Sequence, residues 1–531
     1  MNKWLCYLIN SLLCQRYKKD YQNFLKIEDI SQQQKEHLIR LLAQNQYTEY
    51  GQQYGFETIK DVETYQKQVP LTTYKDYEDY VEKIGNGELN ILTLDKVMLL
   101  EPTSGSTSAS KLIPYNKGLK EDFQKGLRPW LYDLYTKNPG IRWGKSYWSI
   151  TPAITGKKLS PGGIPIGFEE DSSYFGTLEK KLIDYIFAVP SQVSQAPDID
   201  TFYLETSVHL LLSRNLTLIS IWNPSFLFLL LEFMTREADL ILKRIHQKNP
   251  GRAREVKECL KNSDYQSLWP DLKVISCWLD GHAAIHEKQL CKWFPKVIIQ
   301  PKGLLATEGF ISFPFLEEEG ARLSLRSHFF EFLNTRDQNI YLAHELQPGQ
   351  TYEVIITTSG GLYRYQMKDL VEVMGHIDGC PLLKFLGKAD RISDLFGEKL
   401  HENHIEDTLH TLAKKHTLNY TFAMAAPEKD HYVLYLQPDQ DAHQMHHPEE
   451  SSQFYKLLAQ EFDDLLRTNF HYDYCRRLGQ LAPLRIFLLT GNPYQEYLDE
   501  CVKMGQRQGD IKSTALHLKS GWDLVFKGDY L

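Results

Sequence analysis

The chain has 531 residues, of which 42% are hydrophobic and 24% charged, so its composition is that of an ordinary globular protein. A chain of this length exceeds what one hydrophobic core usually serves, and we therefore expect at least two domains. The formal net charge of −8 disfavours a nucleic-acid backbone as the main partner. The eight cysteines form no Cys-x-x-Cys pair, which favours a reducing, cytoplasmic setting.

The first hundred residues have the pattern of a helical layer. Residues 4–14 are apolar but too short to cross a bilayer, and the sequence from Tyr74 through Tyr77 to Tyr80 repeats an aromatic side chain at near-helical spacing. Both patterns predict helices that pack on a core. The run at 210–233 is also apolar, but polar residues and a proline interrupt it, so we expect no membrane span.

The first chemical signal is a loop of small residues. From Val97 an apolar run predicts a strand that ends at Glu101 and Pro102, and a Ser/Thr/Gly-rich loop then extends from Thr103 to Lys111. Backbone N–H groups, hydroxyls and a terminal ammonium complement polyphosphate oxygens. The loop is not a Walker A motif, since it contains only one glycine. By itself it is either a phosphate-binding loop or an ordinary polar turn.

Farther along the chain, strand-like runs alternate with helix-like ones, which predicts an α/β or mixed architecture. The predicted strands are 216–222, 274–278, 296–300 and 352–357, and the predicted helices are 225–248 and 283–294. A boundary candidate lies at 384–395, and a smaller unit with the order helix, strand, helix, strand follows it. We therefore predict a large domain of residues 1–386 and a small domain of residues 387–531.

Three further signals follow in order. Thr307 and Glu308 would place a hydroxyl and a carboxylate at a strand end, where a carboxylate can hold Mg²⁺ against ATP oxygens; an exposed turn is the alternative. Asp369 interrupts a β-rich run and suits a ribose diol, since an ionised carboxylate accepts two hydrogen bonds; a hairpin turn at Asp369 fits as well. Lys512 follows a glycine-bounded loop, from which a mobile cation can reach a reacting phosphate or carboxylate.

In this order, the four motifs and the hinge-like stretch near residue 390 resemble the acyl-adenylate-forming superfamily, and specifically the auxin-responsive acyl acid amido synthetase family. The run Gly505-Gln-Arg-Gln-Gly-Asp-Ile-Lys512 looks very like the bacterial branch of that family. The resemblance implies a large adenylate-forming domain of mixed sheets and helices, joined to a smaller mobile α+β domain. It also implies a ligase that uses ATP and Mg²⁺ to activate a carboxylic acid as an acyl-adenylate and then transfers the acyl group to an amine, such as an amino acid.

The resemblance assigns roles to individual residues. For the nucleotide it implies Thr103, Ser104, Gly105, Ser106, Thr107, Lys111, Ala306, Thr307, Asp369 and Lys388, with Glu308 as the Mg²⁺ ligand and Lys512 as the cation that stabilises the adenylation transition state. Leu304 stands where the family usually has a ring-stacking aromatic, and it can pack on adenine without stacking. Trp222, Phe226 and Gly281 are candidates to contact the acid, although core packing is the alternative for each aromatic.

Two other functions remain open from the sequence. An acyl-CoA or carrier-thioester ligase would share the adenylation step and differ only in the acceptor. A catalytically silent binding protein could keep the fold, although Glu308, Asp369 and Lys512 are all present. We expect small-molecule partners, no nucleic acid and a monomeric chain.

Overall fold

The computed structural model describes residues 3–103, 111–149, 158–167, 182, 184–222, 224–280, 287–389, 392–439, 448–506 and 511–531. These residues form two compact units. The larger contains residues 3–280 and 287–385, and the smaller begins at residue 386. The larger unit contains two hydrophobic cores and the smaller unit contains one.

The helices of the larger unit precede most of its antiparallel strands. They are α1 (Lys3–Leu25), α2 (Ile30–Asn45), α3 (Glu49–Gln53), α4 (Val62–Gln68), α5 (Glu78–Gly85), α6 (Lys117–Lys137), α7 (Ile199–Leu212), α8 (Pro224–Arg236), α9 (Ala238–Lys248), α10 (Pro250–Lys261), α11 (Tyr265–Leu268) and α12 (Glu287–Trp293).

Polar side chains define where several of these helices begin. Asp29 accepts a hydrogen bond from the Gln32 N–H (2.9 Å), and Asn116 accepts one from the Leu119 N–H (2.8 Å). Each side chain thereby satisfies a backbone donor that the first helical turn leaves without a partner, at the start of α2 and of α6. The apolar N-terminal stretch lies within α1 and buries one side of that helix, as its pattern predicts.

A parallel sheet forms the centre of the larger unit. Its strands are β3 (Lys145–Trp148), β6 (Leu216–Ser220), β7 (Val274–Cys277) and β8 (Ile298–Pro301), and they lie side by side in that order. Leu218 and Val274 pack into one hydrophobic core, whereas Ile219 and Ile275 pack into a second core on the opposite face. Because both faces of the sheet are covered, every residue of β6 and β7 is buried, and the burial of these strands does not alternate.

The remaining strands of the larger unit form three more sheets. The first has the order β2-β1-β5-β4, with β1 (Leu99–Pro102), β2 (Leu112–Tyr115), β4 (Lys158–Leu159) and β5 (Pro165–Ile166). The second pairs β9 (Leu305–Ala306) with β10 (Gly309–Phe310). The third has seven strands in the order β11-β12-β17-β16-β15-β13-β14, with β11 (Ser312–Phe313), β12 (Ala321–Leu323), β13 (Phe329–Asn334), β14 (Ile340–Leu342), β15 (Thr351–Thr357), β16 (Tyr365–Ile377) and β17 (Cys380–Lys388).

A buried ion pair fixes the N-terminal helices to the seven-stranded sheet. The Arg364 guanidinium donates to both carboxylate oxygens of Glu331 (3.0 and 2.9 Å). Its Nη1 also donates to the backbone carbonyls of Gln66 and Val69 (both 2.8 Å). Arg364 is 4% exposed and Glu331 1% exposed, so the pair lies in the interior. The guanidinium thus joins the end of α4 to β13.

The smaller unit is an α+β domain. Its elements are β18 (Ile392–Ser393), β19 (Leu400–His401), α13 (Glu402–His416), β20 (Tyr420–Pro427), β21 (Tyr432–Pro438), α14 (Pro448–Leu466), α15 (Phe470–Arg477), β22 (Arg485–Leu489), α16 (Pro493–Lys503) and β23 (Gly528–Tyr530). The four longer strands form one sheet in the order β20-β21-β22-β23, in which only β21 and β22 are parallel.

The predicted mixed architecture is confirmed, with two differences in detail. The predicted helix over 225–248 is two helices, α8 and α9, which are separated at Glu237 (φ −96°, ψ 23°). The apolar periodicity continues across this point and gives no sign of the break. The smaller unit also has more strands than its predicted order of helix, strand, helix, strand.

We expect Arg364→Met to destabilise the larger unit by about 3–5 kcal/mol, because the Glu331 carboxylate would stay buried without its counter-charge. The double variant Arg364→Met/Glu331→Gln should recover part of that loss. Urea unfolding followed by tryptophan fluorescence suits the measurement, since every tryptophan except Trp522 lies in the first 300 residues. Exposed Arg336→Met is the matched control. Equal losses in the single and double variants would contradict the expectation.

Candidate functional site

A β-hairpin holds both ends of the predicted phosphate loop. Strands β1 and β2 pair in register, and a hydrogen bond from the Thr103 N–H to the Lys111 carbonyl (2.8 Å) extends the hairpin. The Lys111 ammonium lies 5.8 Å from the centre of the Tyr74 ring, whose hydroxyl accepts from the Leu112 N–H (2.7 Å). Both ends of the loop are therefore anchored. The predicted residues between them, Ser104, Gly105, Ser106 and Thr107, lie outside the described residues.

Thr307 and Glu308 form the tight turn between β9 and β10. Ala306 pairs with Gly309, which leaves Thr307 and Glu308 as the two turn residues. The Tyr115 hydroxyl, at the end of β2, donates to the Thr307 carbonyl (2.7 Å). This hydrogen bond connects the turn directly to the hairpin that carries the phosphate loop.

A buried polar cluster supports this turn from within. The Phe310 N–H donates to His328 Nε2 (2.9 Å), and His328 Nδ1 faces Asp122 Oδ2 at 3.6 Å. Since Nε2 accepts, the ring proton is assigned to Nδ1. Asp122 also accepts from Lys125 Nζ (2.8 Å) and from the Ser359 N–H (3.3 Å). Burial raises the pKa of Asp122, but the facing His328 ring and the Lys125 charge outweigh it, so the pKa lies well below its usual range.

Asp369 lies in an irregular part of β16. Glu353 of β15 pairs with Leu370 of β16, whereas Ile355 pairs with Gln366. A step of two residues along β15 therefore corresponds to a step of four residues along β16. Lys368 has a φ of 61° there, and its ammonium pairs with Glu353 (3.1 Å). Such a bulge re-aims the side chains that it carries, and Asp369 is 2% exposed. The alternative of a hairpin turn at Asp369 is wrong, because β16 continues well past this residue.

The turn and the bulge bring two carboxylates to one phenol. Burial raises the pKa of Tyr365, and the negative charges of Glu308 and Asp369 raise it further. Tyr74, which contacts Lys111, adds to the same shift. Residues of two predicted motifs, Glu308 and Asp369, therefore act on Tyr365, and Tyr74 connects Tyr365 to Lys111 of the third motif. Two carboxylates beside an anchored loop can hold a metal ion and a diol at one place.

Trp222 lies at the carboxyl end of the parallel sheet, next to a lysine that the sequence analysis missed. The Lys302 ammonium is 5.1 Å from the centre of the Trp222 ring, 5.2 Å from Trp130 and 5.6 Å from Trp148. It also donates to the Ser220 hydroxyl (2.7 Å). The only sequence signal for Lys302 is its position directly after an apolar strand, because its partners are remote along the chain.

The other candidates for contact with the acid have different surroundings. Phe226 stacks on Tyr203, with ring centres 6.0 Å apart, in the core around α7 and α8. Gly281 lies outside the described residues. Beyond β7, the Trp278 ring meets Phe385 edge-on at 5.1 Å. Burial raises the pKa of the nearby Asp280 to about 6, although the Lys384 charge opposes the shift.

In the smaller unit, the backbone around Lys512 is held by its neighbours. The Lys512 carbonyl accepts from the Tyr497 hydroxyl (3.0 Å). Glu402, in the first turn of α13, accepts from the Thr514 hydroxyl and from the Ala515 N–H (3.0 Å). The segment that follows Lys512 is therefore fixed within its own unit. Residues 507–510, which precede the lysine, lie outside the described residues.

Lys388 is the last residue of β17 and is half-buried. It ends a long strand and comes just before the predicted hinge. The other hinge candidates, Asp390 and Arg391, lie outside the described residues.

Three family models match most of the chain. The GH3 family N-terminal domain matches residues 22–299, the GH3 family central domain residues 322–388 and the GH3 family C-terminal domain residues 401–519. The chain belongs to the GH3 family. The predicted acyl acid amido synthetase family is thereby confirmed at the level of GH3.

Curated relatives of this GH3 protein match along nearly their whole length. Jasmonoyl-L-amino acid synthetase JAR6 of Nicotiana attenuata is 22% identical over 92% of this chain and 91% of the relative. The 4-substituted benzoates-glutamate ligase GH3.12 of Arabidopsis thaliana is 22% identical over 91% of this chain and 92% of the relative.

Solved structures confirm the predicted fold. The GH3.15 acyl acid amido synthetase in complex with 2,4-DB superposes with a TM-score of 0.82 at 18% identity and covers 94% of each chain. A 2-hydroxyisobutyryl-CoA ligase in its postadenylation state has a TM-score of 0.51 at 11% identity, over 95% of this chain and 90% of the ligase. Among the described helices, none is both long enough and apolar enough to cross a membrane.

The cluster under the Glu308 turn predicts a pH dependence of stability. His37 of α2 is fully buried near Asp122 and Lys125, and burial lowers its pKa to about 3. An unfolded histidine binds its proton near pH 6.5. Between these two pKa values His37 is protonated in the unfolded state and neutral in the folded state. The free energy of unfolding is therefore highest above about pH 6.5 and decreases as the pH falls below that value.

We expect this loss to amount to about 1.4 kcal/mol per pH unit, and to disappear in His37→Gln, whose side chain does not titrate. Chemical unfolding of the larger unit between pH 7 and pH 4.5 measures both slopes. His410→Gln, at an exposed position of α13, is the control and should keep the wild-type slope. Identical slopes for wild type and His37→Gln would contradict the assignment.

Proposed function

We propose that this GH3 protein is an AMP-forming ligase that activates a carboxylic acid as an acyl-adenylate and joins it to the amine of an amino acid. The observation that carries the proposal is the convergence of Glu308 and Asp369 on Tyr365, next to the hairpin that holds Thr103 and Lys111. The relatives support it, since their names describe enzymes that join jasmonate or 4-substituted benzoates to amino acids.

The residues present fit a nucleotide with Mg²⁺. Thr103 Oγ1 is buried and has no hydrogen-bond partner among the described residues, and a phosphate oxygen would satisfy it. Mg²⁺ binds proteins through one or two carboxylates together with substrate phosphates, which suits Glu308, and it would neutralise phosphate charge there. The residues that would hold the nucleotide are Thr103, Ser104, Gly105, Ser106, Thr107, Lys111, Ala306, Thr307, Asp369 and Lys388.

Activation is needed because a carboxylate is a poor electrophile: direct attack by an amine would have to expel an oxide ion, which is a very poor leaving group. In the first step an oxygen of the acid attacks the α-phosphorus of ATP, the bond to the bridging oxygen breaks, and pyrophosphate leaves. Lys512 would neutralise the charge that develops on the phosphoryl oxygens. In the second step the amine attacks the acyl carbon, the bond to the AMP oxygen breaks, and the amine proton passes to solvent.

A thioester ligase is the second candidate, because the fold also matches a CoA ligase in its postadenylation state. That match has a TM-score of 0.51, against 0.82 for the acyl acid amido synthetase. The amine is therefore the favoured acceptor. An amide product would identify an amido synthetase, and a thioester product would identify a thioester ligase.

Several finer assignments belong to the same proposal. The domains are residues 1–386 and 387–531, with a hinge near residue 390 about which the small domain withdraws Lys512 after adenylation. Trp222, Phe226 and Gly281 contact the acid. The C-terminal motif that ends at Lys512 supports membership of the bacterial branch and of the acyl-adenylate-forming superfamily. The protein acts as a monomer in the cytoplasm.

The decisive experiment incubates the protein with ATP, Mg²⁺, pooled carboxylic acids and pooled amino acids, and identifies the products by mass spectrometry. We expect acid-dependent AMP and pyrophosphate together with a new amide. A thioester formed with CoA and no amide with any amino acid would select the second candidate. ADP and phosphate as products would refute adenylation.

Site variants test the residue roles in the same assay. Glu308→Gln, Asp369→Asn and Lys512→Ala should each lower the rate of AMP formation by about 10²–10³-fold, because each removes a charge aimed at the reacting phosphate or the ribose. Matched controls at more exposed positions, Glu319→Gln and Lys503→Ala, should retain the wild-type rate. An unchanged rate in Lys512→Ala would remove the lysine from the mechanism.

A further inference from the structure

A row of polar or amphipathic side chains crosses the parallel sheet near its carboxyl end. The strand register pairs four residues in sequence, Trp148 with Ser220, Ser220 with Ser276, and Ser276 with Gln300. Paired positions in adjacent strands place their side chains on the same face. That face is the one covered by α6, because the Trp130 indole N–H donates to Gln300 Oε1 (3.1 Å). The interior of a parallel sheet is normally apolar, so this row is unusual.

Lys302 places a cation against this row. Its ammonium donates to the Ser220 hydroxyl and is flanked by the rings of Trp130, Trp148 and Trp222, with centres 5.1–5.6 Å away. Indole faces are the aromatic surfaces that attract cations best. The three rings come from three separate elements, so the ammonium is held in one position by the tertiary fold.

The rings of Trp130, Trp148 and Trp222 form a tryptophan cage around the Lys302 ammonium. This cage is closed on one side and accessible on the other. Ser276 Oγ and Gln300 Nε2 are buried, and neither has a hydrogen-bond partner among the described residues. Lys302, Trp148 and Trp222 are only partly buried. Ligands of open α/β sheets bind at the carboxyl ends of the strands, which is where these three side chains lie. A ligand there would meet two indole rings and one ammonium.

We propose that Lys302 is a specificity-determining residue that selects aromatic acids carrying a second oxygen group, a carboxylate or a hydroxyl, remote from the carboxylate that is activated. This inference rests on the proposed function. The indole rings provide flat apolar surface for an aromatic body, and the ammonium binds the oxygen. A carboxylate or hydroxyl oxygen of the acid can add a charge-assisted hydrogen bond to the ammonium, which an apolar substituent cannot provide.

Lys302 and the Thr307–Glu308 turn belong to different elements, so Lys302 would meet a part of the acid other than the activated carboxylate. The segment between Lys302 and the Thr307–Glu308 turn is fixed against β11: the Leu304 N–H donates to Ser312 Oγ (2.9 Å). A Cβ on Gly303 would lie 2.2 Å from the Ser312 carbonyl oxygen, so the backbone passes close to that strand. The activated carboxylate belongs at the turn, whereas Lys302 lies on the preceding strand end.

The test uses pairs of acids that differ only in one remote oxygen group: benzoate with 4-hydroxybenzoate and with terephthalate, and indole-3-acetate with 5-hydroxyindole-3-acetate. Calorimetry measures binding of each acid, and AMP formation measures turnover. We expect the wild-type protein to favour the oxygenated member of at least one pair by about tenfold or more. Lys302→Met should bring that ratio close to one, while it keeps or improves binding of the unsubstituted acid.

The controls separate this inference from the proposed function. Lys296→Met, at an exposed position before β8, should keep the wild-type ratio. Ser220→Ala, which removes only the hydroxyl that accepts from Lys302, should lower the ratio in the same direction, and it decides the matter should Lys302→Met not fold. An unchanged ratio in a folded variant, or no wild-type preference in any pair, would overturn the inference. Absence of AMP with a binding preference intact would refute only the proposed reaction.

Discussion

The proposed nucleotide site depends on the buried guanidinium of Arg364. Its Nε and Nη2 donate hydrogen bonds to the carboxylate of Glu331 in β13, and its Nη1 donates to two backbone carbonyls at the end of α4. The same residue has a φ of 49° and immediately precedes Tyr365, the first residue of β16. A left-handed residue is costly for arginine, so the ion pair and the strand start stabilise each other. Asp369, which the bulge carries, lies four residues after Tyr365.

The proposed site brings negative charges together, and the surrounding residues keep these charged groups in place. Glu308 and Asp369 both act on Tyr365, whose raised pKa keeps it a neutral hydrogen-bond donor. Two carboxylates near a buried phenol repel each other unless a cation joins them. The turn at Glu308 is nevertheless held in place from two sides, by the Tyr115 hydroxyl and through His328. Support of this kind is what the proposed Mg²⁺ and nucleotide site requires.

The sequence predicted features that are local along the chain and missed those that depend on distant partners. Three strands of the parallel sheet, β6, β7 and β8, and the strand end at Thr307 and Glu308 could be predicted, because apolar runs and their polar ends are adjacent in sequence. The setting of Asp369 could not, since a bulge exists only relative to the facing strand β15. Lys302 was missed for the same reason: its partners Trp130 and Trp148 come from other elements.

The residues proposed to bind the nucleotide and those proposed to contact the acid occupy different architectural elements. Glu308 and Asp369 belong to a short hairpin and to the seven-stranded sheet, whereas Trp222 and Lys302 lie at the ends of parallel strands. Residues 303–304 connect the two sets, and they are fixed to β11. We therefore expect a substitution at Trp222 or Lys302 to change the proposed contacts with the acid without moving the Glu308 and Asp369 carboxylates. On this proposal, one set of adenylation residues can serve different acids, and the side chains around Lys302 determine which acid is used.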